Sequence, residues 1–412
     1  MNKFILIVCA ILLCILFGVS NNASTLCGII DIKVLNKKVN TNDVTLPVET
    51  QKKIDNLINK GIEEKIYPGA VVLVAKGHDI LYKKAFGYSQ VTPKKRRMTT
   101  ETLFDVASMT KCVCTAPAIM KLLEENRISL HDPVKKYIPS FKPWNDGKSV
   151  VDITIQQLLT HSSGLSAGIS SSEITRLRKQ WKGYNSSKLV SYIATKTTRN
   201  YRPGTRRLYS CINYVVLQAI IEKVSGKRLS DYAQTNLFKP LAMSNTRFFP
   251  EGDNITNNIN IATTTVINGY ALKGQVHDPL ARLLNGGVSG NAGLFTTAGD
   301  LAKFSFFILY GKEGVLKKQT IKRMITIPSS ERKTVGRALG WEVNSSYAGG
   351  LRKDYCICHT GYTGTSIVID LDAQTTVILL TNRVHPKDSS IHKKRLMSIR
   401  KQLSDIIASQ TI

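Results

Sequence analysis

Acidic side chains are scarce in this chain: 29 Asp and Glu stand against 57 Lys and Arg, a formal net charge of +28 over 412 residues. Such a balance suits polyanionic surroundings, whether nucleic acid, an anionic membrane surface or a cell-wall polymer. The signatures that would single out nucleic acid are missing: there is no helix-turn-helix, zinc-finger or RNA-binding pattern, so no nucleic-acid partner is expected. The surplus reads as a solvated basic surface, and an anionic cell-envelope polymer is the partner its sign would suit. Cysteine is sparse as well, with eight in all. The six outside the N-terminal apolar run (Cys27, Cys112, Cys114, Cys211, Cys356 and Cys358) are too few to frame so long a chain, although one or two bridges stay open in an oxidising compartment. Neither Cys-x-Cys pair has the Cys-x2-Cys spacing of a structural zinc site, and no metal is expected. Internal repeats are absent too. Hydrophobic and charged fractions of 42% and 21% exclude disorder as the description of the whole, and the length admits one large or two interleaved domains.

Lys3 followed by the almost unbroken apolar stretch Phe4–Val19 and the small polar residues Ser20 to Ser24 has the form of an export signal. The run is long enough that an uncleaved anchor is the alternative, and it would be the chain's one membrane contact. Leu26 before Cys27 argues against a lipoprotein. Residues 1–23 are thus a signal peptide or anchor, 24–47 a linker, and the body from 48 to 412 is expected outside the cytosol, exported or envelope-associated.

Helical spacing runs through Val48–Ile66 (Ile54, Leu57, Ile58, Ile62) until Pro68-Gly69 breaks it. Ala70–Ala75 and Ile80–Phe86 read as two strands joined across Lys76-Gly77-His78-Asp79. Ala116–Glu125 is helical, with Pro117 marking a kink or a first turn. Ile153–Leu159, Tyr214–Val224 and Leu301–Tyr310 are the clearest helices of a middle rich in loops. Strand character returns at Cys356–Thr360, Thr365–Asp370 and Thr376–Thr381, and Ser389–Ile407 is a basic amphipathic helix. This order predicts an α+β fold: an antiparallel sheet built from both termini (about 48–110 and 335–412), flanked by helices and carrying a mostly helical insertion (about 111–334).

Ser108-Met109-Thr110-Lys111 is a Ser-x-x-Lys tetrad. On a helix, positions i and i+3 share a face, so hydroxyl and amine can meet. A serine hydroxyl is a weak nucleophile until a base takes its proton, and lysine serves only if its pKa falls toward neutrality. A helix start adds a positive dipole end and free backbone N–H groups. Tyr209-Ser210 follows Pro203-Gly204-Thr205, and a tyrosine there could share the proton transfer. His359-Thr360-Gly361 ends a strand, where a glycine lets substrate lie against the backbone and the next N–H can polarise a carbonyl.

In this order the three elements resemble the serine β-lactamase and penicillin-binding-protein superfamily, whose signature set is Ser-x-x-Lys, a Tyr- or Ser-based second motif and Lys/His-Thr-Gly. The resemblance spans residue 50 to the C-terminus and is closest to the class-C-like serine hydrolases with a His-Thr-Gly third motif. Leu158–Leu165, Gly293–Thr297 and Leu380–Pro386 share it. It implies a β-lactamase/transpeptidase-like fold and two-step acyl transfer without metal or organic cofactor. Ser108 would be the acylated nucleophile and Lys111 its proton acceptor. Tyr209 would activate serine or water and protonate the leaving group, and His359 with Thr360 and Gly361 would orient substrate. Backbone N–H groups of Ser108 and Tyr362 would form the oxyanion hole.

Two positions depart from the pattern. Cys211 stands third in the second motif, where Asn or Asp is usual, and a thiol is a poor donor and acceptor. Asn213 is near enough to compensate but belongs to the following helix. His359 in place of lysine removes a fixed positive charge, which favours the hydrolase/peptidase branch over a dedicated β-lactamase. The substrate implied is a small molecule or peptide with an amide or ester bond, of D-amino-acid, cell-wall type. A β-lactamase, or a weak or idle member that binds envelope polymer, are the competing readings. Ser166 matches a Gly-x-Ser-x-Gly elbow only formally, since a helix and loop precede it; His161 and His277-Asp278 read as structural, Lys94–Arg97 as a solvated loop, and Arg383 with His385 as braces at the site's edge.

Overall fold

Side chains alternate across a strand, and Gly69–Lys76 (β1) uses both faces. Val71, Leu73 and Ala75 join one apolar cluster while Ala70, Val72 and Val74 join another, which makes this strand the centre of a two-sided sheet. The computed structural model describes residues 45–410 except 254, 256–258, 353 and 354. The expected export segment, the linker up to residue 44 and Cys27 lie outside the described residues.

β2 (Asp79–Gln90) and β3 (Arg96–Arg97) follow β1; β4 (Glu342–Val343), β5 (Cys356–Thr360), β6 (Ser366–Asp370) and β7 (Thr375–Thr381) come from the other end of the chain. They form one antiparallel sheet in the order β4-β5-β6-β7-β1-β2-β3. The two halves join at β1 and β7, with Ala70 opposite Thr381 and Leu73 opposite Ile378. This is the α+β arrangement with a sheet from both termini.

One face is covered by α1 (Val48–Glu63), through Ile54 and Ile58, and by the C-terminal helix Ser390–Ala408, through Leu396, Ile399, Leu403 and Ile407. Leu46 is buried with them and its N–H donates to Leu81 O, so the packed chain begins inside the stretch expected to be linker. The other face packs on the helical middle: α2 (Ala116–Glu124), α3 (Ile155–Leu159), α4 (Ser171–Trp181), α5 (Ser186–Lys196), α6 (Cys211–Ser225), α7 (Leu229–Ala233), α8 (Ala298–Tyr310) and α9 (Lys318–Ile325). Thr154 starts α3 with a capping box: its Oγ1 accepts from Gln157 N, and Gln157 Oε1 accepts from Thr154 N. A small sheet of Phe104–Asp105, Leu294–Thr296 and Arg247–Phe248 ties the chain just before Ser108 to the middle region. The described cysteines, Cys112, Cys114, Cys211, Cys356 and Cys358, are free thiols. Among the described residues no helix is long and apolar enough to cross a membrane.

Candidate active site

The segment that presents Ser108 departs from a plain helix start. Ala107–Met109 is a 3-10 turn, Lys111–Thr115 a π turn, and the α-helix begins only at Ala116. Pro117 supplies the reason for the widening: it has no N–H for the carbonyl four residues back, and Ala116 N reaches Lys111 O, five back, instead. Pro117 therefore sits in the first turn of α2. Ala107 holds a φ of +45°, a costly conformation for a residue with a Cβ. Asp105 over-determines it: one carboxylate oxygen accepts from Ala107 N at 2.8 Å and the other from His277 N at 2.7 Å. Burial raises the Asp105 pKa to about 6 against these two donors.

Ser108 and Lys111 meet as expected, with Lys111 Nζ 3.1 Å from Ser108 Oγ. Nζ also donates to Asn291 O at 2.7 Å and lies 3.8 Å from Cys211 Sγ and 5.0 Å from the Tyr209 ring centre. The expectation of a lysine lowered toward neutrality is not met. Burial pulls Lys111 down, but the electrostatic influence of Cys211, Tyr209 and Asp278 pulls it up and prevails. Cys211 and Tyr209 are each pushed up by burial and pulled back by the Lys111 ammonium. All three are therefore protonated at rest: Lys111 as the ammonium, Tyr209 as the phenol and Cys211 as the thiol. Tyr209 also interacts with the Ser108 side chain and packs against His161, the ring centres 4.3 Å apart and the planes tilted by 31°. His161 accepts from Ser210 N at 3.1 Å through Nδ1, so it fixes the second motif. Asn213 turns to Ser163 Oγ and His161, and does not replace a carboxamide at position 211.

His359 is the last residue but one of β5, opposite Ile367. It is buried, its Nδ1–H donates to Thr360 O at 2.9 Å, and burial with the Arg337 charge lowers its pKa to about 3, so it is neutral. Gly361 cannot be another residue: an added Cβ would lie 2.1 Å from Thr365 Oγ1 and 2.3 Å from Val106 O. That close approach lets the turn clasp the nucleophile loop, with Thr363 Oγ1 donating to Asp105 O at 2.6 Å and Thr365 Oγ1 to Val106 O at 3.3 Å. Tyr362 is exposed at the rim, stacked on His277 and donating its hydroxyl to Asp388. Arg383 braces it: Nη2 donates to Tyr362 O and Nη1 to Asp388 Oδ1. A cavity of about 180 Å³ is lined by Ser108, Tyr209, His359, Thr360, Gly361 and Tyr362 among others. A larger one of about 480 Å³, by Phe249 and Lys273, shares none of them.

Asp105, Asn291, Thr363 and Arg337 complete the surroundings and were not picked out from sequence. Asn291 and Thr363 lie beside family-like stretches and motifs, which is the signal that could have found them; Asp105 and Arg337 carry none. Asp278, read as part of a turn, does cap Leu280–Leu284 through Ala281 N, but it also accepts from Asn291 Nδ2 and acts on Lys111. Ser166 is a loop residue donating to Gly168 O, away from any strand-to-helix elbow. His385 bridges Val91 N and Thr264 O rather than the site's edge.

The family model described as Beta-lactamase matches residues 54–400. A protein of Escherichia coli (strain K12) described as "Putative D-alanyl-D-alanine carboxypeptidase" is 32% identical over 376 residues, 82% of this chain and 83% of that protein. An "N-acetylmuramyl-L-alanine amidase" of Bacillus subtilis (strain 168) is 32% identical over 424 residues, 93% of this chain and 92% of its own. Among solved structures, "EstCE1, a hydrolase with promiscuous acyltransferase activity" has a TM-score of 0.68 at 22% identity, over 85% of this chain and 98% of that one, a likeness of fold.

Proposed function

The chain belongs to the β-lactamase family of serine hydrolases, and from that membership we propose that it cleaves an amide or ester through an acyl-enzyme on Ser108, with a cell-wall-type D-amino-acid peptide as substrate. The 3.1 Å contact between Lys111 Nζ and Ser108 Oγ carries this reading. When the Lys111–Tyr209 set has lost one proton, it can accept the Ser108 hydroxyl proton as Oγ attacks the carbonyl carbon. The negative oxygen that results is stabilised by the backbone N–H groups of Ser108 and Tyr362. The same set returns the proton to the leaving nitrogen or oxygen, and a water then repeats the sequence to free Ser108. His359 and Thr360 orient the substrate along the end of β5.

The preference for a peptide over a β-lactam rests on His359, a neutral group where a fixed cation is usual in β-lactamases, and on the names of the two cell-wall relatives. With such a substrate the protein works in the cell envelope. Incubation with N-acetyl-D-alanyl-D-alanine should release D-alanine from the wild type and none from Ser108→Ala. Efficient nitrocefin turnover with no peptide cleavage would instead make it a β-lactamase.

A further inference from the structure

Two loops beside the second motif carry cations and no acid: residues 198–210 and 332–341 contain neither Asp nor Glu. A hydrogen bond from Thr334 Oγ1 to Gly204 O, at 3.3 Å, ties them together. It sets the loop of exposed Arg206 and Arg207 against the loop of exposed Arg332 and Lys333. Arg332 also lines a groove of about 640 Å³ with the exposed Lys322 and Arg323 of α9. At the other end, Arg207 lines a cavity that shares Tyr209 with the one over Ser108. A basic strip thus runs from α9 to the edge of the active site.

The acids that border this strip are engaged inside the protein. Glu331 is buried and accepts from Gln156 Nε2 and Ser162 Oγ. Glu342 holds Arg337 Nη1 at 3.3 Å, and Asp132, beside the groove, holds Lys136 Nζ and the Tyr137 hydroxyl. Among the described residues, none of the six cations of the strip forms an ion pair. Like charges gathered without counter-charge repel one another, so an anion that spans them is favoured.

The lining also says which kind of anion. Guanidiniums predominate, and their planar fork fits pairs of phosphate oxygens. A nucleic-acid strand would also need aromatic faces on which to stack its bases. The groove lining has no Phe, Tyr or Trp, and Tyr201 of the first loop is buried with Arg206 lying over its ring at 4.9 Å.

We propose that this strip docks a linear phosphodiester polymer without bases, a polyol phosphate of cell-envelope type. Docking there tethers the protein to the polymer beside its active site. The inference does not depend on what Ser108 cleaves.

The test is fluorescence anisotropy of end-labelled poly(glycerol phosphate) with full-length Ser108→Ala protein, in which no acyl transfer can intervene. The polymer should bind at about 50 mM salt and about tenfold or more weakly at about 200 mM. Removing four charges of the strip together (Arg206→Ser, Arg207→Ser, Arg332→Ser and Lys333→Ser) should weaken binding about 30-fold or more. Removing four exposed lysines elsewhere (Lys52→Ser, Lys53→Ser, Lys94→Ser and Lys148→Ser) should weaken it less than about threefold, since distant charges are screened. All eight side chains are exposed, and circular dichroism checks that both variants fold. Oligothymidylate of equal charge should bind no more tightly than the polyol phosphate. No binding by the parent at low salt, or equal losses in the two variants, overturns the proposal. Tighter binding of oligothymidylate also overturns it, and makes the strip a nucleic-acid surface.

Discussion

At Lys111 three buried groups compete for protons, and the outcome sets the pH at which the site can work. Lys111, Tyr209 and Cys211 are all held above their ordinary values, so the form with one proton removed gains population on the alkaline side. A base must be deprotonated to act, and kcat/KM should therefore rise with pH above neutrality. Cys211 is among the groups that pull Lys111 up. Cys211→Asn removes a group that pulls Lys111 up and restores a donor and acceptor, which should move the rising limb to lower pH and raise kcat/KM near pH 7 several-fold. A pH–rate profile identical to wild type would contradict this account. Ser108, Lys111, Tyr209 and His359 were legible because each belongs to a short motif with its own spacing. Asp105, Asn291 and Arg337 were not, because single polar residues carry no local pattern and reach the site only through long-range packing.

The elements that carry these residues are held by close backbone approach more than by side-chain choice. Gly361 lies where a Cβ would strike Thr365 Oγ1 and Val106 O, so Gly361→Ala must push β5 away from the nucleophile loop. The substitution should cost about 1–3 kcal/mol of stability as overpacking. Misplacing the acylation geometry should lower the acylation rate about 100-fold. Stopped-flow acylation and urea denaturation read the two effects; a stable protein with an unchanged rate would show that the clasp is not needed. Farther away, Thr154→Ala breaks the capping box of α3 and should cost about 1 kcal/mol. The strands were readable from β-branched runs bounded by turns, and β5 was found with its observed ends. The helices Ser171–Trp181 and Ser186–Lys196 were passed over because polar faces dominate them, although Ser170 with Glu173 and Asn185 are N-terminal caps that announce them. The π turn at Lys111–Thr115 has only Pro117 as its trace.

For the whole molecule, buried histidines set the response to acid. His359, at about 3 in the folded state against about 6.5 unfolded, resists protonation when folded, so its contribution to stability is present above pH 6.5 and is lost as pH falls. Between pH 6.5 and 4 that loss is about 3 kcal/mol. Asp105, raised to about 6, acts oppositely and offsets a comparable amount over pH 6 to 4. His277, lowered to about 4, and His161, also lowered, add to His359 and decide the sign. Urea denaturation should give falling stability on acidification from pH 6.5 to 4, and a smaller fall in His359→Gln; a flat or rising profile would contradict the balance. The surplus of basic residues extends well beyond the site. Capture of an anionic substrate should accordingly slow as ionic strength rises, with kcat little affected.

The claim on which the account depends is that Ser108 becomes acylated. Intact-mass spectrometry of the protein after exposure to a fluorophosphonate, a penicillin and a short-chain ester reads this directly. The account predicts one added acyl or phosphonyl mass, mapped by peptide digestion to Ser108 and absent from Ser108→Ala. A folded protein that gains no mass with any of the three, or gains it on another residue, contradicts it.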